Sequence, residues 1–277
     1  MQAVERFERM AQGPDEAIDL VRGALLIAAE EYPDLDVENC VDVLEGFAHA
    51  LRTRLRPDIG PTDSIRALNR YMFEELGFHG ATEDYYDPRN SFLNDVLTRR
   101  SGIPITLAIV YMSLGRGIGL RLEGVSFPGH FLVRCPVRDG TAILDPYHKG
   151  ASLGISDLQK RLASNQDKPP TRTEVAALLA PASTREILSR LLRNLRGIYL
   201  HYRQLPQALS ATSRILALAP GNAREWRERA NLHLALECFR AALSDFQSYL
   251  ALAPDADDAE AARARVVELQ RTCSMLN

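Results

Sequence analysis

A short sequence recurs at an interval of 34 residues in the C-terminal part of this 277-residue chain. Leu216–Pro220 and Leu250–Pro254 both read LALAP, and the pair Ala208-Leu209 recurs as Ala242-Leu243. Small residues recur where paired helices would approach each other, and a proline closes each unit. Such pairs bury their apolar faces only against neighbouring pairs, so the chain from about residue 175 onward is expected to be a stack of helices.

The interval of 34 residues resembles the tetratricopeptide (TPR) repeat, a helix–turn–helix unit. Two repeats are expected, flanked by a helix over Thr184–Tyr202 and capped by one over Ala259–Leu276. The polar, proline-rich residues 164–173 are predicted to be a linker, which gives domains of 1–165 and 166–277. TPR grooves bind proteins or peptides, and such a partner is predicted. The alternative, that two repeats only pack on the first domain, stays open.

The first domain combines helices with a small antiparallel sheet, so its predicted class is α+β. Pro57–Pro61 is a turn-rich break between helices, and Gly102–Leu120 is apolar on more than one face, which is typical of a buried helix. The predicted helices are Asp15–Glu31, Val37–Leu55, Asp63–Leu76 and one within Gly102–Leu120 that begins at Pro104. The predicted strands are Leu122–Ser126, His130–Cys135 and Thr141–Asp145.

Composition and charge exclude several classes of function. The formal net charge is −3, without the basic field that attracts nucleic acid, so no nucleic-acid partner is expected. No apolar run approaches the roughly 20 residues that span a bilayer, and the N-terminal MQAVERFERM has no signal-peptide pattern, so no membrane association is expected. The four cysteines are widely spaced, which argues against a zinc site or a disulfide framework and favours the cytoplasm. No cofactor is predicted.

The segment Gly102–Ala108, GIPITLA, together with His130 and Asp145, resembles the catalytic region of the transglutaminase-like (papain-type) superfamily. That family places a nucleophilic cysteine at the N-terminus of a buried helix, a histidine at the start of a strand and an aspartate on the next strand. A helix N-terminus lowers a thiol pKa, the histidine accepts the thiol proton, and the aspartate orients the histidine. The resemblance implies these roles for His130 and Asp145, whereas Pro104 stands where the cysteine would be.

No convincing substitute for the cysteine is evident. Cys135 is five residues after His130, and strand alternation puts the two side chains on opposite faces. Thr106 and Ser91 carry hydroxyls near the expected site and are candidate nucleophiles that would need strong activation.

Further residues are expected around the same site. Asn90, Pro104, Tyr147 and His148 are predicted to line the cleft. A metal ion held by His130, Asp145 and His148 is the alternative for this cluster. Two of the spacings depend on loops and no pattern of residues supporting the ligands is evident, so no metal is predicted.

The hairpin between the last two strands has two possible registers. A strict two-residue turn at Asp139-Gly140 places Arg134 opposite Asp145. The family geometry implies instead that His130 meets Asp145, which would require a longer loop around Pro136 or a bulge.

Five stretches extend the resemblance to SirB-type proteins, bacterial transglutaminase-like proteins with C-terminal TPR repeats. They are Phe73–Gly80, Tyr86–Leu97, Arg100–Leu107, Glu123–Leu132 and Leu144–His148. In that family Gly-Ile-Pro-Ile is usual at the helix start, which makes Pro104 an expected residue. The family has no established catalytic activity and is associated with regulation of gene expression. The resemblance implies a non-catalytic protein that binds a protein or peptide; the alternative is a hydrolase or acyltransferase that uses His130 and Asp145 with an unconventional nucleophile or an activated water.

Overall fold

The computed structural model describes residues 3–82, 86–163 and 170–275. Its contacts divide the chain into two compact units, Met1–Arg6 with Pro14–Leu191 and Phe7–Gly13 with Leu192–Asn277. The linker and boundary predicted around residues 165 and 166 fall mostly outside the described residues, and that boundary stays a prediction. From Pro14 to Leu191 the described helices group with the first unit.

Helices make up most of the first unit. They are α1 Ala3–Ala11 (shared between the units), α2 Leu20–Ala28, α3 Val37–Arg52, α4 Pro61–Asn69, α5 Leu93–Arg99, α6 Pro104–Gly117, α7 Ile155–Ala163, α8 Arg172–Ala177 and the first part of α9 Thr184–His201. A single π-helical turn, Arg70–Glu75, continues α4, and Gly77 follows it with φ of 75°. The predicted single helix over Asp15–Glu31 is wrong at its start, because the Asp19 side chain caps α2 by accepting from the Arg22 amide.

The described residues include six short strands, which form two sheets. β1 His79–Gly80 and β2 Ser101–Gly102 pair in parallel, while β3 Glu123–Val125, β4 Leu132–Val137, β5 Gly140–Asp145 and β6 Ala151–Ser152 form an antiparallel sheet in chain order. This sheet is the small antiparallel sheet expected from the sequence, and the α+β class is confirmed.

The hairpin between β4 and β5 differs from both predicted registers. Val137 pairs with Gly140, so the two-residue turn is Arg138-Asp139, one residue earlier than predicted. Gly140 has φ of 136°, which favours glycine at that position. The register runs without a bulge to Val133 opposite Leu144, so Arg134 does not face Asp145.

The sheet is covered on both faces. On one face Leu132 and Ile143 pack with Leu158 of α7 and Val175 of α8. The other face carries Val133 and Cys135, and it lies against α6, which is buried on more than one face as predicted. The site described below therefore sits at one end of a sheet held between α6 and α7.

In the second unit the repeat is visible in the backbone. Besides α1 and α9 segments it contains α10 Leu205–Leu218, α11 Ala223–Ala235, α12 Phe239–Leu252 and α13 Ala259–Met275. α10 and α12 begin and end 34 residues apart, and the residues before them, Arg203 and Glu237, have φ of 57° and 58°. The predicted helical TPR-like region is confirmed. In the part of the chain that the structure describes, every helix is too short or too polar to cross a lipid bilayer.

Candidate functional site

Asp145 is the central acceptor of a polar cluster in the first unit. Its side chain has no exposed surface, yet its carboxylate lies within hydrogen-bond distance of three other side chains. His130 Nε2 is 2.8 Å from Oδ1, and His148 Nδ1 is 2.8 Å from Oδ2. Arg161 Nη2 is 2.9 Å from the same Oδ2. A buried carboxylate of this kind is stable only when it is paired in this way.

Local backbone geometry brings these groups together. Asp145 ends β5 and caps the helical turn Pro146–His148, accepting from the His148 amide at 3.3 Å. His130 follows a turn in which its amide donates to Phe127 and Gly129 has φ of 68°. The register puts Asp145 opposite Leu132, so His130, two residues earlier, is a diagonal neighbour on the same face. The His130–Asp145 pair therefore needs neither a bulge nor a longer loop.

Electrostatics favour the ionised form of Asp145. Burial works to raise the pKa of this carboxyl, but the hydrogen bonds and charges of His130 and His148 outweigh burial and hold the pKa far below its usual value. The carboxylate thus remains charged throughout the neutral range, and it can fix the orientation of the His130 ring.

Only one ring nitrogen of His130 is engaged. Nε2 contacts Asp145, whereas Nδ1 has no hydrogen-bond partner among the described residues, and the side chain is 14% exposed. Arg190 holds the backbone at this point: its Nη2 donates to the His130 carbonyl at 2.7 Å and its Nη1 to the Phe127 carbonyl at 2.9 Å. The histidine is thus held at both its backbone and its ring.

Tyr147 forms one wall of the site. Its ring lies perpendicular to the His130 ring, with centroids 5.9 Å apart, and 5.2 Å from the His148 ring. Its hydroxyl donates to the Ala81 carbonyl at 2.6 Å, and its ring lies directly over Gly80, where a Cβ would be 2.6 Å from a ring carbon. The predicted cleft residues Tyr147 and His148 therefore do come together with His130.

The other predicted residues lie at or near the start of α6, where Asn90, Ser91 and Thr106 are buried and Pro104 is partly buried. The Thr106 hydroxyl donates to the Asn90 carbonyl at 2.9 Å and accepts from the Ile103 amide at 3.1 Å. The Ser91 side chain is fully buried, and its hydroxyl has no partner among the described residues. Neither Thr106 nor Ser91 bonds to His130 within the described ranges. The Thr106 hydroxyl thus holds the backbone at the start of α6.

Comparison with known proteins gives this geometry a context. Residues 38–193 match the family described as the transglutaminase-like superfamily, and residues 195–267 match the tetratricopeptide repeat. The chain belongs to the transglutaminase-like superfamily. The predicted combination of this domain with C-terminal TPR repeats, as in SirB-type proteins, is confirmed.

Similar proteins occur in bacteria and in animals. The chain is 38% identical to a UPF0162 protein of Xylella fastidiosa (strain Temecula1) over 265 residues, which are 95% of this chain and 94% of that protein. It is 34% identical to a UPF0162 protein of Pseudomonas aeruginosa, covering 85% of each chain. F-box only protein 21 of Mus musculus is 30% identical over 48% of this chain and 21% of that protein. A menin crystal structure covers 91% of this chain and 69% of that chain at 10% identity; its TM-score of 0.35 is too low to inform fold or function.

Within this transglutaminase-like domain, Pro104 occupies the first helical position of α6. Proline suits that position because its missing N–H would be unpaired there in any case. It carries no group that can attack a substrate or transfer a proton. Cys135 is no replacement: it is buried on the face of the sheet that carries Val133, and burial raises the pKa of its thiol.

His130, Asp145 and His148 also form a set that resembles a metal site, with one ligand atom from each within 4.8 Å of the others. Both carboxylate oxygens already accept from a histidine ring, and Oδ2 also accepts from the Arg161 guanidinium. A divalent cation would have to displace these donors and would be repelled by Arg161. The absence of a metal stays a prediction.

Arg161 and Arg190 are site residues that sequence reasoning missed. Both lie on helices that follow the motif, 16 and 45 residues after Asp145, and no motif marks either of them. Their positions depend on how α7 and α9 pack, which the sequence pattern does not define.

Proposed function

We propose that this protein is a non-catalytic transglutaminase-like protein that binds a protein or peptide partner. The observation that carries the proposal is Pro104 at the first position of α6, where this superfamily places its nucleophile. Two further observations support it. The Thr106 hydroxyl is engaged with backbone groups, and the Asp145 carboxylate is satisfied by groups of the protein itself.

The TPR repeats support a role in protein interaction. In stacked helix pairs the first helix of each pair lines the concave surface, where extended or helical peptides bind. In the second unit α11 is such a first helix, and its exposed residues include Arg224 and Asn231, which are seven positions apart and so share a face. The binding surface is proposed to include this face of α11.

Affinity capture with four forms of the full chain tests the proposal. They are the wild type, His130→Ala, Asn231→Arg on α11 and Gln247→Arg as a matched control on the exposed surface of α12. A partner is identified by mass spectrometry and its affinity is then measured with the purified protein. Asn231→Arg is expected to reduce affinity at least about tenfold, because a large charged group in the groove obstructs the peptide.

Gln247→Arg and His130→Ala are expected to retain binding. Equal loss of the partner in Asn231→Arg and Gln247→Arg would rule out a binding surface on α11. Loss of partner binding in His130→Ala alone would instead place the binding site at the polar cluster around Asp145.

The competing function is a hydrolase or acyltransferase that uses an activated water. The observation that favours it is that His130 Nδ1 has no hydrogen-bond partner among the described residues, while Asp145 orients the ring through Nε2. Hydrolysis of p-nitrophenyl acetate by the wild type and by His130→Ala distinguishes the two functions. Equal rates are expected; a rate that falls in His130→Ala would establish the enzyme.

The cellular setting proposed is the cytoplasm, with a regulatory role. Cys40, Cys135, Cys238 and Cys273 are all free thiols, which suits a reducing compartment. Fusion of a fluorescent protein to the chain and fractionation of the producing bacterium test this location.

A further inference from the structure

A cleft in the first unit lies between the end of α3, the following loop and the start of α4. One part of it is a cavity of about 470 Å³, which is within the range of small-molecule sites. A second cavity of about 550 Å³ adjoins it, and Leu55, Arg56 and Ile59 line both. None of the site residues around Asp145 lines either cavity.

The smaller cavity combines an apolar wall with positive charge. Leu55, Ile59, Ile118 and Leu120 supply apolar surface, and no acidic residue is among its lining residues. Arg52 and Arg56 supply the charge. The Arg56 side chain makes no hydrogen bond or ion pair within the described ranges, and the Arg52 side chain bonds there only to the His49 ring.

The N-terminus of α4 adds backbone donors at the same place. α4 begins at Pro61 after Gly60, and no side chain caps its first amides. The uncapped N–H groups and the helix dipole favour an anion at such an end. Pro61 itself lines the cavity.

Ser64 gives an independent indication of a ligand. It is only 4% exposed and lines the smaller cavity, yet its hydroxyl has no hydrogen-bond partner among the described residues. Its amide donates to the Gly60 carbonyl, so only the hydroxyl is left to bind a ligand. A bound acceptor would supply the hydrogen bond that this hydroxyl lacks.

The larger cavity continues the positive surface. Arg54, Arg66 and Arg70 line it together with Asp58 and Asp63. Arg66 pairs with Asp63 at 2.9 Å, and Arg54 pairs with Glu75 at 2.6 Å. These pairs are solvent-exposed, and exposed pairs exchange partners at little cost, so a second anionic group would find donors here.

We infer that this cleft binds a small organic anion in which a phosphate or carboxylate group is attached to an apolar body. The anionic group lies between Arg52, Arg56 and the start of α4, where Ser64 donates its hydroxyl. The apolar body lies against Leu55, Ile59 and Leu120. The inference is independent of the partner binding proposed for the TPR repeats.

Calorimetric titration of the full-length protein with phenyl phosphate tests this inference. Inorganic phosphate and benzoate are the parallel probes, so that the anion and its source are distinguished. Phenyl phosphate is expected to bind at least about tenfold more tightly than inorganic phosphate, because only the ester buries an apolar group. Benzoate binding as tightly as the ester would identify the ligand as a carboxylate and would equally support the inference.

Variants locate the binding. Arg56→Gln is expected to lower the affinity at least about tenfold, since charge-assisted hydrogen bonds to an oxyanion are lost. Ser64→Ala is expected to lower it about threefold while leaving thermal stability unchanged or higher, since it removes an unpaired hydroxyl. Arg138→Gln is the matched control, because this exposed arginine of the β4–β5 turn likewise has no partner among the described residues.

Three results would overturn the inference. One is the absence of heat with phenyl phosphate and with benzoate. Another is an equal loss of affinity in Arg56→Gln and Arg138→Gln, which would mean general attraction to positive charge. The third is unchanged affinity in Arg56→Gln when its thermal unfolding matches that of the wild type.

Discussion

Asp145 is fully buried and charged, so the stability of its surroundings depends on the groups that donate to it. The Asp145→Asn substitution removes the charge but keeps the size, and it leaves Arg161 beside a neutral group. Breaking a buried ion pair costs about 3–5 kcal/mol. The free energy of unfolding, measured with urea at pH 7, is expected to fall by about this amount. Asp139→Asn in the exposed turn is the control, with an expected change below about 0.5 kcal/mol.

The same substitution has a defined pH dependence. Because the folded pKa of Asp145 is held below the unfolded value, its contribution is complete above the unfolded pKa of about 3.9. This contribution to stability is lost as the pH falls from the unfolded pKa toward the folded pKa. The stability difference between wild type and Asp145→Asn should therefore be constant above about pH 5 and shrink below about pH 4. A difference that grows toward acid pH would contradict the assigned ionisation.

At the scale of elements, β1 and the turn after β5 approach each other closely because Gly80 has no side chain. A Cβ on Gly80 would lie 2.6 Å from the ring of Tyr147, whereas a Cβ on Gly46 of α3 would meet nothing within 4 Å. Gly80→Ala is expected to cost about 1–3 kcal/mol through overpacking, and Gly46→Ala to be neutral or stabilising. Chemical denaturation measures both.

A double-mutant cycle identifies the cause. In a Tyr147→Ala background the cost of Gly80→Ala should largely disappear, since the clashing ring is gone. An undiminished cost would mean that another contact of Gly80 is responsible.

The two turns before α10 and α12 allow a paired prediction. Arg203 and Glu237 are non-glycine residues in the left-handed region, with φ of 57° and 58°. Glycine removes the steric cost of that conformation but adds entropy to the unfolded chain. Arg203→Gly and Glu237→Gly should each raise stability by about 0.5–1 kcal/mol, measured as the shift in Tm.

Gln247→Gly, at an exposed position in α12, should lower stability by about 1 kcal/mol and serves as the control. Stability changes of opposite sign in Arg203→Gly and Glu237→Gly would contradict this explanation. They would show that the left-handed geometry shared by the two turns does not determine the effect of glycine there.

The sequence predicts the positions of some helices better than it predicts the pairing of the strands. The 34-residue interval predicted the positions of α10 and α12 because packing between helix pairs imposes one spacing on sequence and backbone alike. The β4–β5 register was not predicted, because Asp139-Gly140 and Arg138-Asp139 are both acceptable two-residue turns. The side chains that decide between them, Leu132 and Ile143, pack against α7 and α8, far along the chain. Tertiary packing thus decided the pairing.

For the whole molecule, the sequence predicted the His130–Asp145 pair only through resemblance to a family. Strand alternation allows the pair but does not require it, since it depends on the register. Arg161 was beyond prediction because its helix reaches Asp145 through the packing of Leu158 against the sheet. Motif residues close in sequence were found, while their partners from later helices were not.

The second unit is stabilised by its own buried charges, which allows a test at the scale of the whole chain. Glu225 is 1% exposed and accepts from Arg193 at 2.7 Å and from Arg196. Burial works to raise the pKa of Glu225, but the hydrogen bonds from the two arginines outweigh it and lower the pKa. Glu225→Gln should therefore cost about 3–5 kcal/mol at pH 7.

Hydrogen exchange measured along the whole chain locates that loss. The contacts of Glu225 named above lie within the second unit, so Glu225→Gln should reduce amide protection in α10, α11 and the part of α9 after residue 192. Glu268→Gln is the control in the same unit, because its pair with Arg265 is exposed and is worth less than about 1 kcal/mol. Equal loss of protection in the two variants would mean that Glu225 contributes no more than a surface pair. Loss confined to α2–α6 would contradict the assignment of Glu225 to the second unit.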